Sequence, residues 1–233
     1  MSLANPVRRA QCATVVLHIV RHGETESNRN GLMLGWWDAP LTEKGRAQAA
    51  AAGQALIAED IDVAYTSDLG RASQTARLLL DEQPDKIELI EDERLREFSF
   101  GGYEGRSEED MAAVYLELGL SFDSPPEAFA AMTNAEFADA VAKTDPEGLA
   151  EGWEAISHRL KESLDEIVAA AQADGHGTVL VVSHGWSIAA VVELLAPDDW
   201  ETELWDAISN GSITTLEYRD GAYHLVGVEE PAA

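Results

Sequence analysis

Two histidines, two arginines and one glutamate stand where buried segments give way to turns. Arg21-His22 closes the apolar run "VVLHIV" and opens "RHGETESN". His184 lies in "VLVVSHG", ahead of a helical pattern. Arg71 lies in "YTSDLGRASQTA", and Glu97 in "LREFSFGGYEG". Taken singly, each has an ordinary explanation. A lone His is more often a satisfied core residue, as His18 in mid-strand is expected to be, and a lone Arg or Glu is more often solvated. Taken together they point to chemistry. Two histidines and a carboxylate are ligands suited to zinc or iron, but two permanently charged guanidinium groups would repel a divalent cation. Two arginines and two imidazoles instead suit an anion. Forked Arg donors match phosphate oxygens, and the turns after His22 and His184 can add backbone N–H groups. A neutral imidazole there can act as a nucleophile, and a nearby carboxyl can protonate a leaving oxygen. No metal and no cofactor is expected.

The elements that must bring these groups together follow from periodicity. β-Rich runs occupy 14–21, 62–67, 87–91 and 178–183. "LTEKGRAQAAAAGQALIAE" predicts a helix with Thr42 as its N-cap. "LGRASQTARLLLDE", "WEAISHRLKESLDEIVAAAQADG" and "WSIAAVVELLAP" predict three more, the second of them ending near Gly175 and the third at Pro197. "SITTLEYRDGAYHLVGVEE" predicts a terminal hairpin turned at Asp220-Gly221. The expected fold is therefore α/β: a three-layer sandwich with a mainly parallel central sheet, helices on both faces and a helical cap insert. The expected organisation is a single domain over 1–233, the cap running from about 106 to 150 around an acidic, Ala-rich stretch that holds Pro125-Pro126. In open α/β sheets ligands collect beyond the carboxyl ends of the strands, where Arg21-His22, Arg71, Glu97 and His184 all fall.

At this point the chain resembles the histidine phosphatase superfamily, also called phosphoglycerate mutase-like. The resemblance runs in order through "RHGETESN", "GWWDAPLTEKGRAQA", "YTSDLGRASQTA", "LREFSFGGYEG", "VLVVSHG" and "NGSITTLEY". It implies that His22 is the phosphorylated nucleophile and Glu97 the proton donor. It implies that Arg21, Arg71 and His184 hold the phosphoryl oxygens, with Asn28 and the backbone at Gly185 assisting. Within the family, mutases need further cations for a second phosphate. From Ser107 to Gly152 the only basic residue is Lys143, and "FGGYEG" looks more like the phosphatase branches. The expected activity is thus hydrolysis of a small phosphomonoester. A cofactor-primed phosphoglycerate mutase is the alternative, and a non-catalytic phosphate-binding scaffold is the reading from another class. Phe98, Phe100, Tyr103, Tyr115, Phe122, Phe129 and Phe137 are expected to give the insert apolar surface, some of it as the insert's own core. Trp36-Trp37 are expected to be packing residues, with a place at the pocket rim as the alternative, and Cys12 a small core residue.

Composition sets the surroundings. With 16 Lys and Arg against 43 Asp and Glu, the formal net charge is −27, which disfavours nucleic acid and anionic membranes as partners. A single cysteine excludes an internal disulfide and fits a reducing compartment. No run is long and apolar enough to span a membrane. A cytoplasmic location is expected; the oligomeric state is not readable from the chain.

Overall fold

The computed structural model describes residues 14–121, 132–201 and 204–232. Cys12, Phe122, Pro125-Pro126 and Phe129 lie outside the described residues.

The six-stranded sheet has the order β3-β2-β4-β1-β5-β6. Its strands are β1 (Val15–Arg21), β2 (Val63–Thr66), β3 (Leu89–Glu91), β4 (Thr178–Ser183), β5 (Ile213–Arg219) and β6 (Ala222–Glu229). β3, β2, β4 and β1 run parallel, β5 is antiparallel to β1, and β6 closes the hairpin. The near-continuous apolar runs of β1 and β4 reflect burial on both faces. Leu17, Ile19, Val179 and Val181 face one core, Val20, Leu180 and Val182 the other, as a period of two requires. β3 is shorter than the run 87–91 suggested, and it pairs on one side only, with β2.

The main helices are α1 (Glu26–Arg29), α2 (Glu43–Ala55), α3 (Gly70–Leu80), α4 (Ala112–Glu117), α5 (Asn134–Thr144), α6 (Trp153–Asp174), α7 (Gly185–Leu195) and α8 (Leu204–Ala207). α2 and α3 cover one face of the sheet through Ala52, Ala72, Ala76 and Leu79; α6 and α7 cover the other through Leu164, Val168, Ile188 and Val192. Thr42 caps α2 by accepting from the Gly45 amide, and α6 stops at Gly175 in the left-handed region. Asp220 and Gly221 both carry positive φ, the backbone a two-residue hairpin turn demands.

Two features of the fold bear directly on the strand ends. In the parallel pairing of β1 with β4, Arg21 stands opposite Ser183, so the residues that follow each strand emerge side by side. The start of α2 also presses against the turn after β1. A Cβ on Gly23 would lie 2.1 Å from the Gly45 carbonyl oxygen, and one on Gly45 would lie 2.1 Å from the Glu24 carbonyl oxygen. Only glycine at both positions allows that approach.

The insert carries a 3₁₀ turn over Glu108–Met111, capped by Ser107, followed by α4 and α5. Of the seven aromatics expected to serve it as apolar surface or as core, the five within the described residues serve as core. Phe98, Phe100, Tyr103, Tyr115 and Phe137 are all buried and join the core beneath α6 and α7. Among the described residues no helix is long and apolar enough to cross a membrane.

Candidate active site

His22 follows β1 and is 3% exposed. Its Nδ1 lies 2.8 Å from the Gly23 carbonyl oxygen, which can only accept, so Nδ1 carries the proton. Nε2 is left with its lone pair, and Arg71 donates Nε–H to it at 3.2 Å. Burial, with Arg71 and Arg21 nearby, holds the His22 pKa well below the ordinary imidazole value. The ring is neutral at physiological pH.

His184 is fully buried, with its ring centroid 5.1 Å from that of His22 and the planes at 61°. Its pKa is also pushed well down, first by burial and then by Arg71. Neither of its ring nitrogens has a hydrogen-bond partner among the described residues, and the same holds for Nε of Arg21. A buried polar group left unpaired costs about 1–3 kcal/mol, and the two donors among these atoms, Arg21 Nε–H and the single N–H of a neutral His184, are groups an anion would satisfy. Arg21 is itself fixed by donating Nη1 to the Ile208 carbonyl at 2.6 Å. Gly185 makes room for it, since a Cβ there would lie 3.0 Å from the guanidinium carbon.

Arg71 is 1% exposed, and its fork is aimed differently from the expectation. Nη1 donates to the Trp37 carbonyl and Nη2 to the Gly35 carbonyl, each at 2.7 Å. The two-pronged end clamps the 35–37 loop, leaving Nε–H alone to face the reacting position. Four amides in the turns after the two histidines already have partners. After His22 the amide of Gly23 donates to Thr75 Oγ1 and that of Glu24 to Gln48 Oε1. At the start of α7 the amides of Trp186 and Ser187 donate to Glu97. Side chains already hold these N–H groups.

Glu97 is thereby anchored on the N-terminus of α7. Its Oε1 accepts from the Phe98 amide (3.0 Å), the Ser187 amide (2.9 Å) and the Ser187 hydroxyl (3.0 Å). Among the described residues Oε2 accepts only from the Trp186 amide, at 3.1 Å. The Ser187 hydroxyl also lies 2.9 Å from the Arg96 carbonyl, and its single proton serves one of these acceptors at a time. Arg21 and Arg71 both feel the charge of Glu97, which places the carboxylate within their field.

Asn28 uses its Oδ1 to accept from the Thr25 amide (3.1 Å) and the Thr25 hydroxyl (3.0 Å), which leaves its NH2 group as the outward donor. The structure thus gathers Arg21, His22, Asn28, Arg71, Glu97 and His184 around the ends of β1 and β4, with Gly185 as the spacer. Four further residues carry roles that single-position reasoning did not assign. Asn210 donates Nδ2 to the His22 carbonyl (2.9 Å) and to Asn28 Oδ1 (3.3 Å). Thr75 ties the Gly23 amide to the Arg71 carbonyl. Ser187 holds Glu97. Trp36 donates Nε1 to the Glu97 carbonyl at 3.0 Å. Trp36 and Trp37 are 42% and 63% exposed, yet both make packing contacts: the Trp36 ring centroid lies 4.9 Å from the Arg96 guanidinium carbon, and the Trp37 ring lies against Gly105.

The model of the histidine phosphatase superfamily (branch 1) matches residues 17–231, and the chain belongs to that family. Three similar proteins illustrate its place there. A 2,3-bisphosphoglycerate-dependent phosphoglycerate mutase of Methylobacterium sp. (strain 4-46) is 34% identical over 206 residues, covering 83% of this chain and 88% of that one. A protein of the same name from Parvibaculum lavamentivorans is 42% identical over 120 residues, 48% of this chain. That match spans little more than half the relative's length, 57%. The crystal structure of a phosphoglycerate mutase from Bacillus anthracis str. Sterne superposes with a TM-score of 0.82 at 36% identity, covering 94% of each chain.

Proposed function

We propose that the protein is a phosphomonoester phosphatase acting on a small phosphorylated metabolite through a phosphohistidine at His22. The observation that carries this reading is the hydrogen bonding of His22. Its Nδ1 is tied to the Gly23 carbonyl, so Nε2 keeps its lone pair, which accepts from Arg71 Nε–H in a buried setting that also holds the His184 ring and the unpartnered Nε of Arg21.

In the mechanism this supports, a phosphoryl oxygen takes the Arg71 Nε–H and thereby releases the His22 lone pair. Arg21 Nε and His184 stabilise charge on the other oxygens. Nε2 forms a bond to phosphorus as the ester P–O bond breaks, and Glu97 gives its proton to the leaving oxygen. Oε1 already has three donors, so the exchangeable proton belongs on Oε2. In the second step Glu97, now a carboxylate, takes a proton from the water that attacks phosphorus. The P–N bond breaks, and neutral His22 and inorganic phosphate are restored.

The second reading, phosphoglycerate mutation, is favoured by the names of the relatives. Charge favours hydrolysis. A retained phosphoenzyme and a doubly anionic substrate call for extra cations, whereas Lys143, the sole basic residue between Ser107 and Gly152, pairs with Glu117. The deciding experiment incubates the purified protein with a panel of phosphomonoesters and, separately, with phosphoglycerates primed by a bisphosphate. Steady release of inorganic phosphate supports the phosphatase. Interconversion without net release replaces it with the mutase, and tight binding without either replaces it with a phosphate-binding scaffold.

A further inference from the structure

Glu97 sits on irregular backbone between the 3₁₀ turn Glu93–Leu95 and a second one at Gly101–Tyr103. Something other than a helix or strand must therefore fix its main chain. Arg159, on α6, meets that need. Its Nη1 donates to the carbonyls of Arg94 (2.8 Å) and Arg96 (2.6 Å), and its Nη2 donates to the carbonyl of Glu97 (2.9 Å). Nε and Nη2 also reach the Glu151 carboxylate, each at 2.9 Å. Glu151 Oε2 in turn accepts from the Ser99 amide at 3.0 Å. Both side chains are largely buried, at 13% and 14% exposure.

The arrangement is specific to a guanidinium. Three carbonyls around one residue turn toward the same side, and only a planar fork with five N–H donors can meet them while holding a carboxylate on its other edge. A lysine ammonium has three donors on one atom and cannot span them. The carboxyl of Glu97 is held separately, by the start of α7. Arg159 therefore acts on where the residue stands, not on what its carboxyl touches.

We infer that Arg159, braced by Glu151, is a positioning residue that sets the reach of the Glu97 carboxyl toward the leaving oxygen. This rests on the reading of Glu97 as the proton donor. Proton transfer is sensitive to placement: an error of about 1 Å can cost on the order of 100-fold in rate. A residue that only stabilised the fold would slow all substrates alike. One that positions the acid slows most those substrates whose leaving group needs a proton.

The test compares the phosphorylation step for p-nitrophenyl phosphate, whose leaving group needs little protonation, and glycerol phosphate, whose alkoxide needs much. Arg159→Met, assayed well below its melting temperature, should lose roughly 10- to 50-fold more on the alkyl than on the aryl substrate. Glu151→Gln keeps an acceptor for Ser99 but loosens the brace, and should shift the ratio the same way by a smaller factor. In a Glu97→Gln background, Arg159→Met should add no further alkyl-specific loss. Equal losses on both substrates, or an undiminished alkyl-specific loss with Glu97 already replaced, would overturn the inference. If Arg159→Met does not fold, Glu151→Gln alone and in the Glu97→Gln background decides by the same criteria. Should Glu97→Gln by itself fail to discriminate the two substrates, the proton-donor reading fails first and the inference falls with it.

Discussion

The ends of β1 and β4 present the same residue in two states. Each parallel strand terminates in a polar residue followed by a buried histidine, and the two imidazoles stand 5.1 Å apart. Both are desolvated, and both have their pKa held well below the ordinary value. They differ in their partners. His22 has a carbonyl at one nitrogen and a guanidinium N–H at the other. His184 has neither. A ring held at both nitrogens has one tautomer and one orientation, which suits a nucleophile. A buried neutral ring whose N–H has no partner among the described residues gains when an oxygen arrives to accept it, which suits a group that receives charge. Both rings are buried and both are pushed the same way, so the difference that stands out between them is hydrogen bonding.

The largest expected effect breaks the pair at the proposed nucleophile. His22→Ala should lower turnover by about 10⁴-fold or more and abolish the acid-labile, base-stable phosphoryl adduct seen on rapid quenching with labelled substrate. An active variant with an adduct elsewhere would reverse the assignment. His184→Gln should cost less, on the order of 10²- to 10³-fold, as loss of one charge-stabilising donor does. The adduct should still form on His22, only more slowly, and a quench time course resolves the two cases. Smaller again is Asn210→Ala, which removes the donor to the His22 carbonyl. It should slow the phosphorylation step by about tenfold while leaving the adduct on His22.

The smallest effect concerns stability. Both imidazoles are charged more easily in the unfolded chain than in the fold, so the unfolded state binds more protons just below the ordinary pKa of about 6.5. Their contribution is therefore fully present above pH 6.5 and is lost as pH falls from there toward the depressed folded values. Each histidine should account for about 1.4 kcal/mol of lost stability per pH unit in that window. Denaturant midpoints across that range should fall less steeply for His184→Gln than for the parent. An unchanged slope would mean that His184 is not held neutral.

The strand ends were legible in the sequence because an apolar run that stops at Arg-His or Ser-His announces both the buried strand and the exception to it. The hairpin was legible because Asp220-Gly221 has few other uses. The destinations of the backbone amides were not. Trp186 and Ser187 meet a carboxylate almost 90 positions away, and no local pattern marks that pairing. Arg159 looks, in sequence, like any charged residue on a long helix; only the packing of α6 against the Arg94–Glu97 segment reveals its inward face. Asn210 sits in an Asn-Gly pair that reads simply as a turn. For the tryptophans the sequence carried no measure of exposure: the rings pack on Arg96 and Gly105 but stay partly open, because the loop is held largely through its main chain.

That last arrangement decides what position 37 can tolerate. Arg71 grips the carbonyls of Gly35 and Trp37, and Glu104 takes the amides of Trp36 and Trp37. Every one of these bonds is to main chain, so none depends on the side chain at position 37. That side chain leans on Gly105 and otherwise faces outward. Position 37 is therefore tolerant: ring, chain or charge can be exchanged there while the Arg71 guanidinium stays where it is beside His22.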